Sequence, residues 1–380
     1  MNNEVYITKA AKFLPNNPIS NDEMEAYLGL IHEQPSKSKR IVLRNNGIKC
    51  RYYAMDKDGH ATHTNSQMVS LAIRNMFNND AKKISEIDLL SCGTSTPDQM
   101  MPSHGVMVHG WLPESSAIEV VSPSGVCCSG MHALKYAWMS VKLGQSKNAV
   151  AAGSERLSRI LRSDTFEEEA NKLAEAEQNP YITFDKEFLR WMLSDGAATI
   201  LLNDKKNPEG ISLRIDALEG VSYAHKIEPC MYMASEKANS ELKSYMDFSQ
   251  HEIMEHSVLS IKQDVKLLGE NIVELGYPGL KAILEKNNVK PSEIDYFLPH
   301  LSSEFFRNKI AEKLDANNMT IAKEKWFTNL SSVGNVGAGS IYLMMEELFN
   351  SGKLKAGEKI FMLVPESARF SYMYALLTVC

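Results

Sequence analysis

The sequence predicts an α/β protein built from two equivalent halves, and three observations carry this prediction. Apolar stretches typical of strands alternate with stretches typical of helices. The segment KISEIDLLSCGTS at 83–95 has a counterpart in KPSEIDYFLPHLSS at 290–303. The same order of connector, short strand, Gly-rich turn, helix and apolar strand follows each copy. Such alternation favours right-handed crossovers and a parallel sheet with helices on its faces.

The first half carries these elements in a regular order. Residues 67–79 have helical spacing, and SEIDLLSCGTS is typical of a buried strand that ends in a polar loop. A second strand, AIEVVSP, follows at 117–123, and a helix then runs over SGMHALKYAWMSVKLG to a natural stop at Gly144. The apolar strand NAVAAGSE at 148–155 completes the unit.

The second half repeats this order. A short strand is expected in WFTNLSS at 326–332, and an apolar strand in KIFMLVPES at 359–367. The two copies lie 207 residues apart, so Asn335 occupies the position equivalent to Cys128. Self-similarity of this kind indicates a duplicated structural unit.

Two segments do not fit the repeat. A charged stretch at about 164–190 interrupts the N-terminal half, 1–205, and a stretch at about 222–260 interrupts the C-terminal half, 206–380. The second stretch is rich in Met, His, Ser and Lys. We expect both to leave the core and to be partly helical, and such insertions often form lids or partner surfaces.

Composition excludes several classes of protein. Of the 380 residues 44% are hydrophobic, and the net charge of −6 argues against non-specific nucleic-acid binding. The N-terminal residues lack the basic and long apolar regions of a signal peptide, and no apolar run is long enough to cross a bilayer. We expect a cytoplasmic protein that does not associate with membranes.

The six cysteines are expected to be reduced thiols. They are scattered and include no CxxC pair, which argues against a disulfide framework and against a typical zinc site. The sequence HATH at 60–63 spaces two histidines as on a helix but offers no third ligand. We therefore expect no metal and no organic cofactor.

Two adjacent cysteines open the predicted helix in GVCCSGMHAL, residues 125–134. A thiol in the first turn of a helix feels the positive end of the helix dipole, which favours the thiolate that attacks a thioester carbonyl. Cys128 lies closer to SGMHAL than Cys127, and its own N–H can face a developing oxyanion. This argument favours Cys128 only modestly, because the alternative for either cysteine is a small buried hydrophobe.

The second half supplies two further polar side chains. His300 closes the strand IDYFLPH, and Asn335 lies in the turn SSVGNVGAGSI. If the halves pack about a pseudo-twofold axis, these residues approach Cys128. A thiol, a neutral imidazole and a carboxamide suit a reaction through an acyl-enzyme and then an enolate. The alternatives are a histidine bonded to backbone at a strand end and an asparagine chosen for turn geometry.

These motifs resemble the thiolase superfamily and, within it, the 3-oxoacyl-ACP synthase III family. The resemblance rests on SPSGVCCSGMHALKYAWMSVKLGQSKNAVAAGSE, LSDGAATILL, EIDYFLPH and NLSSVGNVGAGSI, and covers most of the chain apart from the two insertions. It implies a duplicated five-layered α-β-α-β-α fold and a homodimer. It further implies that Cys128 is the nucleophile and that His300 and Asn335 support decarboxylation. It also implies an acyl tunnel near the dimer interface, whose wall we expect in 94–107, at Thr94, Met100, Met101 and Met107.

Two departures from the family pattern affect the expected substrate. The family's C-terminal glycine-rich loop, whose N–H completes the oxyanion hole with that of Cys128, is VPESARFSYMY here, and Ala368 is expected to supply that N–H. Pro365, Glu366 and Arg369 change the loop's shape and charge. The tryptophan that stacks on coenzyme A is missing from SKRIVLRNNGIK, which favours a carrier-protein-bound acyl group over acyl-CoA. Together with the insertions, these departures favour the dialkylresorcinol- and flexirubin-type ketosynthase branch.

The expected activity is that of a ketosynthase in fatty-acid or lipid-like secondary-metabolite biosynthesis. Cys128 would accept an acyl group, and a Claisen condensation with a second carrier-bound thioester, decarboxylative for a malonyl-like extender, would follow. An acidic acyl carrier protein would dock on Arg156, Arg159, Arg307 and Lys309, although plain solvation explains these residues equally well. Two alternatives stay open: an acyltransferase that forms an ester or amide, and a catalytically degenerate partner subunit.

Overall fold

The computed structural model describes residues 3–31, 33–36, 38–165 and 189–380 and has a nine-stranded sheet at its centre. The strands are β1 Tyr6–Phe13, β2 Ile19–Ser20, β3 Cys50–Arg51, β4 Leu89–Gly93, β5 Glu119–Val121, β6 Ala149–Glu155, β7 Gly196–Asn203, β8 Leu213–Ser222, β9 Met231–Tyr232, β10 Ser235–Ala238, β11 Glu241–Ser244, β12 Lys262–Gln263, β13 Tyr296–Pro299, β14 Lys359–Glu366 and β15 Ser371–Val379. The α-helices are α1 Met24–Leu28, α2 Lys39–Asn46, α3 Asn65–Met76, α4 Ala81–Ser85, α5 His104–Gly110, α6 Cys127–Lys142, α7 Gln250–Glu255, α8 Val265–Lys286, α9 Phe305–Asp315, α10 Leu330–Val333 and α11 Ser340–Phe349.

The large sheet shows the duplication directly. In the first half β1, β7, β6, β4 and β5 lie side by side, the first three antiparallel and the last three parallel. In the second half β8, β15, β14 and β13 repeat that order and those directions. The halves join where β1 pairs antiparallel with β8. The duplicated α/β fold is therefore confirmed, whereas the exact division at 205 and 206 stays a prediction.

Most of the predicted elements occupy their expected places. Strands β4 and β6 are buried along their whole length, as their apolar sequences predict. The expected strand in 326–332 is wrong, because only Trp326 forms a parallel bridge, to Phe297. The chain then turns into α10, where the Thr328 hydroxyl accepts a hydrogen bond from the N–H of Leu330. Such local side-chain bonds compete with strand pairing.

The two insertions differ in what the structure describes. Of the stretch at 164–190, residues 166–188 lie outside the described part of the chain. The stretch at 222–260 forms β9, β10, β11 and α7, and its strands pair in two small sheets apart from the large one. Its attachment to the core includes hydrogen bonds from the N–H groups of Cys230 and Met231 to the carbonyl oxygen of Ala368.

The two halves pack closely at glycine positions. A Cβ on Gly130 of α6 or on Gly153 of β6 would lie 2.4 Å from the carbonyl oxygen of Ala338 in the second half. The Tyr342 hydroxyl donates a 2.8 Å hydrogen bond to the Gly130 carbonyl. The Gly-rich turns of the two halves therefore meet at the start of α6, and side chains at these glycines would push them apart.

No helix in the described part of the chain has the length and apolar character that crossing a bilayer requires.

Candidate active site

One cavity reaches both halves of the fold. It is lined mainly by apolar side chains. Cys127 from the first turn of α6, His300 from the end of β13 and Asn335 from the turn before α11 all line it. A thiol, an imidazole and a carboxamide therefore share one largely apolar space, and the thiol is not the one that the sequence favoured.

The structure separates the two adjacent cysteines. Cys127 lines the cavity, whereas Cys128 is 1% exposed and is not among the lining residues. The Cys128 Sγ lies 3.4 Å from the carbonyl oxygen of Val364 in β14. Successive helix residues point about 100° apart, so one thiol faces the cavity and the other faces the sheet. Cys128 as the nucleophile stays a prediction, and Cys127 is a second candidate because it lines the cavity.

Neither thiol is a thiolate at rest. Burial raises the pKa of Cys127 and of Cys128 well above the ordinary value for cysteine. The Glu366 carboxylate raises both pKa values further, and Glu155 adds to the effect on Cys127. The Cys127 N–H favours the thiolate but is the smallest of these effects. The thiol proton must therefore leave during the reaction, because the helix start does not remove it beforehand.

The Glu366 carboxylate explains why the helix dipole does little to favour the thiolate of either cysteine. Its Oε2 accepts 3.0 Å hydrogen bonds from the backbone N–H groups of Val126 and Cys128. These donors lie at the start of α6, and a carboxylate there neutralises the positive end of the helix. The N–H of Cys128, predicted to be an oxyanion donor, is thereby occupied. The N–H of Cys127 meets only its own thiol among the described residues and is the better donor for that role.

Ala368 forms hydrogen bonds with the insertion at 222–260 and does not line the cavity. Its carbonyl oxygen accepts hydrogen bonds of 2.8 and 3.2 Å from the N–H groups of Cys230 and Met231. Ser367 and Pro365 line the cavity, and Ala368 does not. Its predicted contribution to an oxyanion hole stays a prediction.

His300 is buried and neutral. It is 3% exposed, and burial lowers the pKa of its imidazole to about 4. Its backbone N–H donates to the Leu363 carbonyl at 2.8 Å, which fixes the end of β13 against β14. The Nδ1 atom is buried with no hydrogen-bond partner among the described residues. The imidazole is therefore neutral at pH 7 and can donate a hydrogen bond from the ring nitrogen that carries its proton.

Asn335 is held in one orientation. Its backbone N–H donates to the Met192 carbonyl at 3.0 Å, and its carbonyl accepts from the Ser194 N–H at 2.9 Å. Its side-chain Oδ1 accepts from the Gly337 N–H at 2.9 Å. Because Oδ1 is thus engaged, Nδ2 is left as the free donor of the amide within the described structure. The flanking Gly334 has φ +78°, a conformation that glycine adopts without strain.

The residues expected to form the tunnel wall do not line this cavity. Thr94 is 3% exposed and bonds to Asn65 Nδ2 at 2.9 Å and to Glu155 at 3.2 Å. Met100 and Met101 are 67% and 85% exposed, and Met107 is partly buried elsewhere. They belong to the loop between β4 and α5 and the start of that helix, which lies on the surface of the protomer. The walls of the cavity come from other helices.

Three of the four residues expected to bind a carrier protein form ion pairs. Arg156, Arg159 and Arg307 form ion pairs with nearby carboxylates at 3.8, 2.8 and 2.5 Å. Lys309 has no carboxylate partner among the described residues, and its Nζ lies 4.7 Å from the centre of the Phe305 ring. Exposed ion pairs contribute little stability, so Arg159, the most exposed of the three, can exchange partners at small cost.

The HATH sequence does not form a metal site. His63 packs edge-on against Phe13, with ring centres 5.1 Å apart. His60 instead lies with Asp56 and Asp58 in an exposed group whose ligand atoms are within 4.8 Å of one another. Exposed acidic groups are common without a metal, and we assign no function to this one.

The sequence does not predict the roles of three residues near the site. Cys127 is not distinguished by the sequence, because the helix start alone does not give the direction of each thiol. Glu155 is fully buried, accepts from the Ser95 N–H at 3.0 Å and from the Ala338 N–H at 3.2 Å, and so links the halves. Glu366 was noted only as a change of charge. Its contact with α6 joins residues 238 positions apart in the sequence, and no local pattern predicts it.

Comparison with known proteins agrees with the fold. Residues 284–366, which include His300 and Asn335, match the family model described as 3-oxoacyl-[acyl-carrier-protein (ACP)] synthase III C terminal. A relative, beta-ketoacyl-[acyl-carrier-protein] synthase III of Clostridium perfringens, is 26% identical over 353 residues, which is 92% of each chain.

Two solved structures share the whole fold. The 3-oxoacyl-[acyl-carrier-protein] synthase III of Aquifex aeolicus superposes with a TM-score of 0.72 at 22% identity, covering 98% of this chain and 99% of that one. OleA of Xanthomonas campestris, solved with bound lauric acid and lauroyl-CoA, gives a TM-score of 0.75 at 17% identity with both chains fully covered. The chain therefore shares the fold of these proteins, and over residues 284–366 it is similar to the 3-oxoacyl-ACP synthase III family.

Proposed function

We propose that the protein is a ketosynthase that carries its acyl group on Cys127 and condenses it with a second thioester. The observation that carries this proposal is the meeting of Cys127, His300 and Asn335 in one largely apolar cavity. Cys128 is not among the lining residues, and its Sγ lies 3.4 Å from the Val364 carbonyl oxygen. Cys128 stays the other candidate for the nucleophile, and each cysteine can be replaced alone to distinguish them.

In the loading step Cys127 replaces the thiol of the donor. The Cys127 proton passes to the neutral imidazole of His300, and Sγ attacks the thioester carbonyl carbon. The N–H of Cys127 faces the oxygen as negative charge develops on it. The carbon–sulfur bond to the donor then breaks, and the departing thiolate takes the proton back from His300.

In the condensation step a malonyl-like thioester supplies the new carbon atoms. Loss of CO₂ leaves its electron pair on the α-carbon, and the charge spreads to the thioester oxygen. Nδ2 of Asn335 and the N–H of the His300 imidazole donate to that oxygen. The α-carbon attacks the acyl carbonyl on Cys127, and collapse of the intermediate releases the thiolate and a 3-oxoacyl product.

We further propose that both thioesters reach the cavity on an acyl carrier protein. Support comes from the relative of Clostridium perfringens, whose name places its substrate on such a carrier. Lys309 offers a cation without an ion-pair partner among the described residues, on helix α9, which contributes residues to the wall of the cavity. Acyl-CoA stays the alternative donor. The dialkylresorcinol- and flexirubin-type branch stays a prediction.

Two further features belong to the proposal. We expect a homodimer in the cytoplasm. The edge strand β5 ends the large sheet, and the nearby loop exposes Met100 and Met101, so this side of the protomer has both unpaired backbone and apolar surface to cover.

The proposed function is tested by following both products of condensation. Wild-type protein is incubated with hexanoyl carrier protein and malonyl carrier protein, and the 3-oxoacyl product and CO₂ are measured together. The proposal expects both in equal amounts, and expects neither from His300→Ala, which should still fold. Transfer of the acyl group to an alcohol or amine without CO₂ would instead indicate an ester- or amide-forming acyltransferase. A folded protein that neither loads nor condenses would indicate a degenerate subunit.

A further inference from the structure

Glu155 is a buried carboxylate that lies between the two halves, next to the cavity. It ends β6 and is 0% exposed. Its Oε1 accepts hydrogen bonds of 3.0 and 3.2 Å from the N–H groups of Ser95 and Ala338. Ser95 lines the cavity, and Ala338 follows Asn335 in the turn before α11. The carboxylate therefore joins a cavity residue of the first half to the turn that carries the Asn335 amide.

The other carboxylate oxygen of Glu155 is also held by donors. Its Oε2 accepts from the hydroxyl of Thr96 at 2.6 Å and from the hydroxyl of Thr94 at 3.2 Å. The Thr94 oxygen itself accepts from Asn65 Nδ2 at 2.9 Å and from the Thr96 N–H at 3.1 Å. The Thr94 proton is therefore free to point to Glu155. This set of donors suits an ionised carboxyl group, which only accepts hydrogen bonds.

The charge of Glu155 has no ion-pair partner among the residues that the structure describes. The next residue, Arg156, lies 3.8 Å from the carboxylate of Asp98 instead. Burial raises the pKa of Glu155, and the hydrogen bonds that it accepts oppose this effect. A buried charge without a counter-ion is costly unless hydrogen bonds satisfy it. The donors therefore stabilise this charge in the core, and the segments that supply them are held in place in return.

The contact of Glu155 with the turn extends to Asn335. A Cβ on Gly337 would lie 2.9 Å from Oε1 of Glu155, so the carboxylate packs directly against this glycine. The Gly337 N–H donates to Oδ1 of Asn335 at 2.9 Å. A shift of the turn away from Glu155 would move this N–H and change the direction of the Asn335 amide. The reach of Nδ2 toward a reacting oxygen depends on that direction, and small displacements slow such steps strongly.

We propose that Glu155 is a positioning residue for condensation: its carboxylate holds the turn 335–339 so that the Asn335 amide meets the enolate oxygen. This inference rests on the proposed function, because it uses the role of Asn335 in that step. Glu155 is not among the residues that line the cavity and acts through the turn. Its loss should affect condensation more than acyl loading, whichever of the two adjacent cysteines bears the acyl group.

The test compares Glu155→Met, which fills the same space without accepting a hydrogen bond, with Glu155→Gln, which keeps one accepting oxygen. Asp195→Asn is the matched control. Asp195 is also 0% exposed, and its carboxylate accepts from the N–H groups of Leu157 and Ser158, outside the turn 335–339. Acyl loading is followed by intact-protein mass and condensation by the 3-oxoacyl product. Hydrogen exchange reports on the N–H groups of the turn, and thermal melting shows which variants are folded.

The expected result is a selective loss of condensation. Glu155→Met should slow condensation about tenfold or more, leave acyl loading within about threefold of wild type and speed hydrogen exchange in the turn. In an Asn335→Ala background the same change should slow condensation no further, because a residue that acts through Asn335 then has no amide to position. Glu155→Gln should restore most of the rate. Asp195→Asn should change loading and condensation by the same factor.

Three results would overturn the inference. They are condensation at the wild-type rate in folded Glu155→Met, an equal fall of loading and condensation, and a further full loss in the Asn335→Ala background. Should Glu155→Met fail to fold, Glu155→Ala takes its place in each comparison. A wild type that forms no 3-oxoacyl product would count against the proposed function. Unchanged hydrogen exchange of the turn in Glu155→Met, in a protein whose wild type condenses, would count against the role of Glu155 alone.

Discussion

The two cysteines in the first turn of α6 have the same side chain but lie in different surroundings. On the cavity side, Cys127 shares an apolar space with His300 and Asn335. On the sheet side, Cys128 lies against the Val364 carbonyl and is 1% exposed. The chemistry of a thiol here depends on its direction from the helix, which changes by about 100° between neighbours. Both residues lie at the helix start, so this position does not distinguish them.

The comparison also shows that the helix start alone does not activate a thiol. Both pKa values are raised, mainly by burial and then by the Glu366 carboxylate. What differs is access to a group that can take the proton. Cys127 shares its cavity with a neutral imidazole, whereas Cys128 faces a carbonyl oxygen that cannot accept a proton at neutral pH.

Loss of the Asn335 carboxamide should slow condensation much more than acyl loading. In Asn335→Ala the donor from Nδ2 is lost, and the condensation rate should fall about 100-fold or more. Acylation of Cys127 should stay within a few-fold of wild type, because that step uses the N–H of Cys127. The measurement is product formation set against intact-protein mass. Asn308→Ala, on the far end of a surface hydrogen bond from Lys323, is the control. Equal loss of both steps would contradict the separate roles.

Acid should destabilise the fold through buried histidines on both sides of the molecule. Burial lowers the pKa of His300, on the cavity side, and of His104, bonded to Ser154, to about 4. In the unfolded chain these groups take up protons near pH 6.5, so the unfolded state binds more protons between pH 6.5 and 4. The free energy of unfolding should therefore fall as the pH drops through this window, by up to about 3 kcal/mol for each group.

The contribution of His104 can be isolated by denaturant unfolding at a series of pH values. His104→Gln should reduce the slope of unfolding free energy against pH between 6.5 and 4. His60→Gln changes a side chain that is 79% exposed and should leave the slope as in wild type. An unchanged slope in His104→Gln would show that this histidine is not neutral in the folded state.

Removal of the Glu366 charge should make the cavity thiol more reactive. Glu366→Gln keeps an oxygen that can accept from the N–H groups of Val126 and Cys128 but removes the carboxylate that raises the thiol pKa. The Cys127 pKa should fall, and the rate of iodoacetamide labelling at pH 7.5 should rise about three- to tenfold. Glu324→Gln, at an exposed position, should not change the rate. A slower or unchanged rate in Glu366→Gln would contradict the assigned effect.

The sequence predicts the scaffold well and the direction of side chains poorly. The repeated EID segments mark β4 and β13, since a buried strand has a composition that can be read locally. His300 and Asn335 are predictable because each follows a recognisable motif. The contact of Glu366 with α6 and the walls from α8 and α9 depend on how distant segments pack. That information is not contained in local patterns.

The central claim is that Cys127, and not its neighbour, carries the acyl group. The most direct measurement is the intact mass of wild type, Cys127→Ala and Cys128→Ala after incubation with a panel of acyl-carrier and acyl-CoA thioesters, with thermal melting to show that each is folded. The account predicts one acyl increment in wild type and in Cys128→Ala, and none in Cys127→Ala. An increment that survives in Cys127→Ala and disappears in Cys128→Ala would contradict it.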